Sequence, residues 1–75
     1  SMTGNTRLDY RRAAGTVLEV RCKPGQTVTD GQALVVIEPM KTETVIAAPG
    51  AGTIKAVLVA AGDSVRENQT LVEFA

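Results

Sequence analysis

Hydrophobic and polar positions alternate along this chain in short runs, and the runs occur twice. Residues 17–22 and 54–59 are rich in β-branched side chains, so each reads as a strand. Pro24-Gly25 and Ala61-Gly62 follow them as turn signals, and Asp30-Gly31 and Glu67-Asn68 mark a second turn in each half. Residues 34–37 form a continuous apolar run, with residues 71–74 as its counterpart, the pattern of a strand covered on both faces. Helical periodicity is sustained nowhere, so no long helix is expected. The spacing from Val17 to Val20 is odd, whereas Val20 to Cys22 is even. An inward face that keeps all three therefore needs a bulge near Leu18 and Glu19.

A shift of 37 residues superposes the two halves without a gap. Gly15, Thr16, Val20, Gly25, Val28, Gln32, Leu34 and Val35 then meet Gly52, Thr53, Val57, Gly62, Val65, Gln69, Leu71 and Val72, eight identities in 24 aligned positions. Cys22 faces Val59 and Ile37 faces Phe74, so apolar character persists where identity does not. The repeat predicts an all-β fold of two similar halves packed face to face about a pseudo-twofold. Its expected core is Val20, Val28, Leu34, Val57, Val65 and Leu71, with Cys22 as a small core residue. Residues 8–12 are a further strand candidate, because Leu8 aligns with Val45 under the same shift. Residues 1–7 read as a flexible N-terminal tag or linker, with Ser1-Met2 as an expression scar, and residues 8–75 as the domain.

Composition narrows the chemistry. A chain of 75 residues and 7.8 kDa holds one core. Eight Lys+Arg balance eight Asp+Glu, so there is no global field to hold nucleic acid or an anionic membrane. Tyr10 and Phe74 are the only aromatic residues, which leaves no platform for stacking bases. No apolar run approaches the ~20 residues of a membrane span, and no secretory leader is read. With the single Cys22, these features lead us to expect a cytoplasmic protein or, in a eukaryote, one of the mitochondrial matrix. The absence of histidine removes Ser-His and Cys-His catalytic pairs and most zinc donor sets. A self-sufficient enzyme and a metal site are therefore not expected.

The joint between the two repeats reads Glu38-Pro39-Met40-Lys41-Thr42-Glu43. Of the three lysines, Lys23 and Lys55 occupy repeat positions opposite Ala60 and Leu18, and Lys41 alone falls outside the repeat. The joint reads as a two-residue hairpin centred on Met40-Lys41. Such hairpins favour Asn-Gly, because both central residues need positive φ. A poor turn former here, beside good ones elsewhere, points to side chains placed for presentation, although an ordinary surface turn with a solvated lysine fits the same pattern. In that hairpin Pro39 and Thr42 would be the closing pair, lacking one hydrogen bond because proline has no N–H.

This stretch, set between two Gly-x-Val repeats, resembles the biotinyl carrier domain of biotin-dependent carboxylases. Glu38, Met40 and Lys41 match the family motif of Glu before Ala-Met-Lys-Met, whereas Pro39 replaces its Ala and Thr42 its second Met. The flanking Val45-Ile46-Ala47-Ala48-Pro49, Gly52-Thr53-Ile54 and Gly62-Asp63-Ser64-Val65 resemble the family's second half. The resemblance covers about residues 8–75. It implies a flattened barrel-sandwich of two four-stranded antiparallel sheets, with biotin joined as an amide to Lys41 Nζ by a separate biotin protein ligase. Attached biotin would take up a carboxyl group at a biotin carboxylase site and release it at a carboxyltransferase site. The domain itself would be a non-catalytic part of a ligase-class enzyme. Glu38, Pro39, Met40, Thr42 and Glu43 would be motif flanks, with Glu38 and Glu43 either a solvated rim or recognised by the ligase. A lipoyl carrier domain of a 2-oxoacid dehydrogenase complex resembles the same fold but usually places Asp before its lysine, and a cofactor-free adapter of this fold needs no lysine at the tip. Arg7, Arg11, Arg12, Arg21 and Lys23 read as a solvated face or a docking surface for a partner subunit.

Overall fold

The computed structural model describes residues 6–75. Eight strands run in chain order, with no helix among the described residues. They are β1 (Arg7–Tyr10), β2 (Gly15–Val20), β3 (Thr27–Val28), β4 (Ala33–Glu38), β5 (Thr44–Ala47), β6 (Gly52–Val57), β7 (Ser64–Val65) and β8 (Gln69–Phe74). They build two four-stranded antiparallel sheets, ordered β1-β8-β6-β3 and β5-β4-β2-β7. Exchanging β1 with β5, β2 with β6, β3 with β7 and β4 with β8 converts one order into the other, which is the pseudo-twofold implied by the repeat.

The symmetry extends to single hydrogen bonds. Gly25 N donates to Ile54 O and Gly62 N donates to Val17 O, each at 2.8 Å. Within the turns, Lys23 N donates to Gln26 Oε1 (3.1 Å) as Ala60 N donates to Asp63 Oδ2 (2.8 Å). Thr29 N donates to Gln32 Oε1 (3.1 Å) as Arg66 N donates to Gln69 Oε1 (2.9 Å). Each of these four turns thus closes with a side-chain acceptor three residues on, which satisfies a backbone donor that the sheets leave open. Positive φ falls on paired positions too: Gly25 with Gly62, and Gly31 with Asn68.

The bulge inferred from the Val17–Val20 spacing is present. The register of β2 on β4 slips between Val17 and Glu19, and that of β6 on β8 slips between Ile54 and Ala56. Leu18 and its repeat partner Lys55 are the extra residues, and both are exposed. Val17, Val28, Leu34, Val35, Ile37, Ile54, Val65, Leu71, Val72 and Phe74 lie between the sheets with Tyr10, all nearly inaccessible. Cys22 and Val59 are buried at paired positions, as expected. Val20 and Val57 are not fully buried: they sit at strand ends and pack half-exposed against the core.

The first strand departs from the repeat arithmetic. It spans Arg7–Tyr10 rather than residues 8–12, and Arg7 pairs with Glu73. Val45 pairs with Val36, the repeat partner of Glu73, so Arg7 rather than Leu8 takes the place of Val45. The cause is one extra residue before the next strand: buried Ala48, bonded to Gln32, takes the place of Tyr10, paired with Gln69, and four positions (11–14) separate Tyr10 from Gly15 where three (49–51) separate Ala48 from Gly52. Asp9 anchors this edge strand. It lies 4.0 Å from Arg7 and 3.8 Å from Arg11, and its Oδ1 accepts a 2.7 Å bond from the Thr70 hydroxyl. Of the proposed tag or linker, positions 1–5 lie outside the described residues.

Candidate functional site

The β4–β5 connection is where the twofold has no partner to offer. The last pair of its ladder is Ile37 with Thr44, and on the other side of β4, Glu38 pairs with Thr16 of β2. Positions 39–43 therefore stand beyond the β4–β5 ladder as an extended tip. This corrects the two-residue hairpin: Pro39 and Thr42 are not a ladder pair, so proline's missing N–H removes no ladder bond. Only Lys41 has positive φ, at 59°, so the type I′ turn, which needs it at both central residues, is not formed. Among the described residues, Lys41 and Asn68 are the non-glycine residues held there. Asparagine tolerates that region because its short polar side chain bonds locally, whereas for lysine it is uncommon.

All the side chains the sequence singled out gather here. Met40 is 78% exposed; Glu38, Lys41, Thr42 and Glu43 are exposed, and Pro39 is half-buried at the foot. Among the described residues the side chains of positions 39–43 have no hydrogen bond or ion pair, unlike the four capped turns. Lys41 Nζ thus ends a free, convex projection. Lys23 lies in a capped turn and Lys55 on the β6 bulge, both away from this tip.

The sequence reading missed Gly15 as a site residue. A Cβ there would lie 2.9 Å from Glu38 O and 2.9 Å from Pro39 Cα, so the start of β2 presses its bare backbone against the foot of the tip. The Gly15–Gly52 identity in the repeat was the available signal, but the contact is non-local and no spacing rule reveals it. This contact also fixes which end of the sandwich carries the lysine. Gly15 pairs with Val65 next to the tip. The described chain ends lie at the other end: Phe74 N donates to Thr6 O, and Ala75 N to Thr53 O beside the start of β6. Antiparallel β4 leads from that end to the lysine.

Among the described residues no second reactive centre competes with the tip. Burial pushes the Cys22 thiol above its ordinary value of 9.0, which disfavours the nucleophilic thiolate. Among the described residues no three His, Cys, Asp or Glu stand together as a metal site.

The profile of the family described as "Biotin-requiring enzyme" matches residues 10–74. The chain is 46% identical over 60 residues to the human mitochondrial propionyl-CoA carboxylase alpha chain, a match covering 80% of this chain and 8% of that protein. It is 39% identical over 61 residues to the biotin carboxyl carrier protein of Streptococcus mutans, covering 81% of this chain and 47% of that one. The chain thus spans less than half the length of either relative. Among solved structures, a single-chain, multi-domain long-chain acyl-CoA carboxylase superposes with TM-score 0.87 at 37% identity, covering all of this chain and 7% of that one. The lipoyl domain of the 2-oxoglutarate dehydrogenase complex of Azotobacter vinelandii superposes with TM-score 0.75 at 27% identity, covering 89% of this chain and 94% of that one.

Proposed function

The chain belongs to the biotin-requiring enzyme family and is a biotin carboxyl carrier domain of the kind found in biotin-dependent carboxylases; from that premise we propose that Lys41 is the residue to which biotin is covalently joined. The observation that carries this is the placement of Lys41. It alone among the lysines stands on the tip that breaks the twofold, exposed, unpaired and held at positive φ. The exposed primary amine fits the group chemically, because amide formation needs an unhindered nucleophile that a partner enzyme can reach.

In that reaction Nζ loses a proton and attacks the carbonyl carbon of biotinyl-adenylate, supplied by a biotin protein ligase from ATP and biotin. The C–N bond forms, the C–O bond to phosphate breaks, AMP leaves, and a second proton departs from nitrogen. When bound, biotin supplies a ureido nitrogen that takes up and releases a carboxyl group. The chain's own residues hold and present. Gly15 packs under Pro39 and sets the foot of the tip. Bonded β4 and β5 carry it outward, and the described chain ends stay at the far end, where a tether to other domains leaves the lysine clear. Tethering turns each delivery to a biotin carboxylase or carboxyltransferase site into an intramolecular event at high effective concentration. The domain contributes no acid, base or metal of its own to either step.

The test is intact mass after coexpression with a biotin protein ligase. The parent chain gains one biotinyl group and Lys41→Arg gains none while keeping the parent's melting curve. An unmodified parent, or a modified Lys41→Arg, contradicts the proposal.

A further inference from the structure

The described residues hold two sulfur atoms, those of Cys22 and Met40, and the fold treats them oppositely. Cys22 is buried in the core at the place of Val59, where burial disfavours its reactive thiolate and keeps oxidants away. Met40 is the most exposed of the large hydrophobic residues described. Nothing in the fold uses its side chain. It stands beyond the β4–β5 ladder, has no place in the core cluster and falls outside the repeat. The core cluster contains no methionine, so an oxidant that converts this thioether leaves the packing between the sheets untouched.

The second observation is what stands beside it. Met40 directly precedes Lys41, on a tip whose side chains have no hydrogen bond or ion pair. Oxidation turns the flexible apolar thioether into a polar sulfoxide. Its oxygen is a hydrogen-bond acceptor where the tip now offers Nζ none. The ammonium bonded to it must give up that bond before the amine attacks an acyl group. The sulfoxide also holds water, which an enzyme enclosing the short lysine stem has to strip away at a cost that the thioether does not impose. Both effects act on Lys41 and neither acts on the sandwich.

We propose that Met40 is a reversible oxidation site that governs whether Lys41 accepts biotin, with a peroxide as the oxidant and the sulfoxide as the poor acceptor form; this rests on the reading of Lys41 as the acceptor. A lone pair on Sδ attacks one oxygen of the peroxide, the S–O bond forms and the O–O bond breaks. Sulfur is oxidised by two electrons, and hydrogen peroxide is reduced to one water after proton transfer. Return to the thioether takes two electrons and two protons from a dithiol through methionine sulfoxide reductases and releases the oxygen as water.

The test treats the chain with hydrogen peroxide, removes the excess with catalase, and follows biotinylation by purified ligase with ATP and biotin. Peptide mass mapping places the added oxygen and separates Met40 from Met2. The expected result is one oxygen on the Met40 peptide and kcat/KM lowered about tenfold, with the melting curve unchanged. Methionine sulfoxide reductases of both stereospecificities, with dithiothreitol, restore the rate. Met40→Gln, which carries a permanent polar amide, is slow before any peroxide. Met40→Leu has the same rate with and without peroxide, which separates Met40 from Met2 and Cys22. An oxidised Met40 with unchanged kcat/KM overturns the proposal, as does a Met40 that stays unoxidised while Met2 reacts, or an equal loss of rate in Met40→Leu. Each of these leaves the acceptor reading standing. No biotin on Lys41 of the untreated parent overturns that reading itself.

Discussion

The turn at residues 29–32 and the β4–β5 tip flank the two ends of the same strand, and they are built on opposite principles. The turn places Gly31 at positive φ and satisfies Thr29 N with the Gln32 side chain, and its twin repeats the device with Asn68 and Gln69. Every element there serves closure. The tip holds a lysine at positive φ, leaves its side chains unbonded, and rests on one backbone contact at Gly15. Closure is served by the wrong residues there, and presentation by the right ones. The twofold makes the contrast quantitative, because whatever one half needs for folding should appear in the other.

The largest effect on stability belongs to the shared core. Leu34 and Leu71 are twins with no exposed surface, so Leu34→Ala and Leu71→Ala should each cost about 3 kcal/mol in chemical denaturation. Their costs should be similar, because the twofold gives both leucines the same fully buried place between the sheets. A wide gap would show that the halves are alike in path but not in packing. Gly15→Ala probes the foot of the tip, where the new Cβ meets backbone atoms at 2.9 Å that cannot swing aside. The expected loss is about 1–3 kcal/mol, with slower biotinylation because the tip is re-aimed. A neutral effect would detach the tip from β2. Lys41→Gly should run the other way and stabilise by about 1 kcal/mol, through release of the positive-φ strain. Asn68→Gly should gain less, because asparagine tolerates that conformation, and equal gains would remove the claim that the tip gives up stability for its lysine.

The smallest effect is confined to alkaline pH. Burial raises the Cys22 thiol above 9.0, so the folded state disfavours the thiolate that the unfolded chain forms freely. The resulting stability is fully present below that value and is lost as pH rises through the folded one. Cys22→Val, which copies buried Val59, should abolish this alkaline decline, read as melting temperature against pH. A decline of the same size in the variant would assign it to other groups.

Much of this contrast was legible in the sequence, because a gapless repeat reports symmetry directly. Val17 against Val20 gave away the bulge, the Gly and Asn positions gave the four turns, and Lys41 stood out as the lysine without a twin. The failures share a cause in tertiary pairing. Gly15 and Gly52 have poor strand propensity, yet β2 and β6 begin there because β7 and β3 pair with them. The register of β1 was misplaced by one residue because the spacer 11–14 is invisible to an alignment that begins at Gly15. The tip was drawn too short because the ladder ends at Ile37 and Thr44, a decision made by sheet geometry rather than by turn residues.

Which of the three lysine amines is modified decides the role of the β4–β5 tip. The direct measurement is peptide mass mapping of the chain after incubation with purified biotin protein ligase, ATP and biotin, alongside cells supplied with both biotin and lipoate. Biotin on the peptide containing Lys41, with Lys23 and Lys55 unmodified, is the predicted result. Biotin on Lys23 or Lys55, or a lipoyl group on Lys41 in its place, would contradict it.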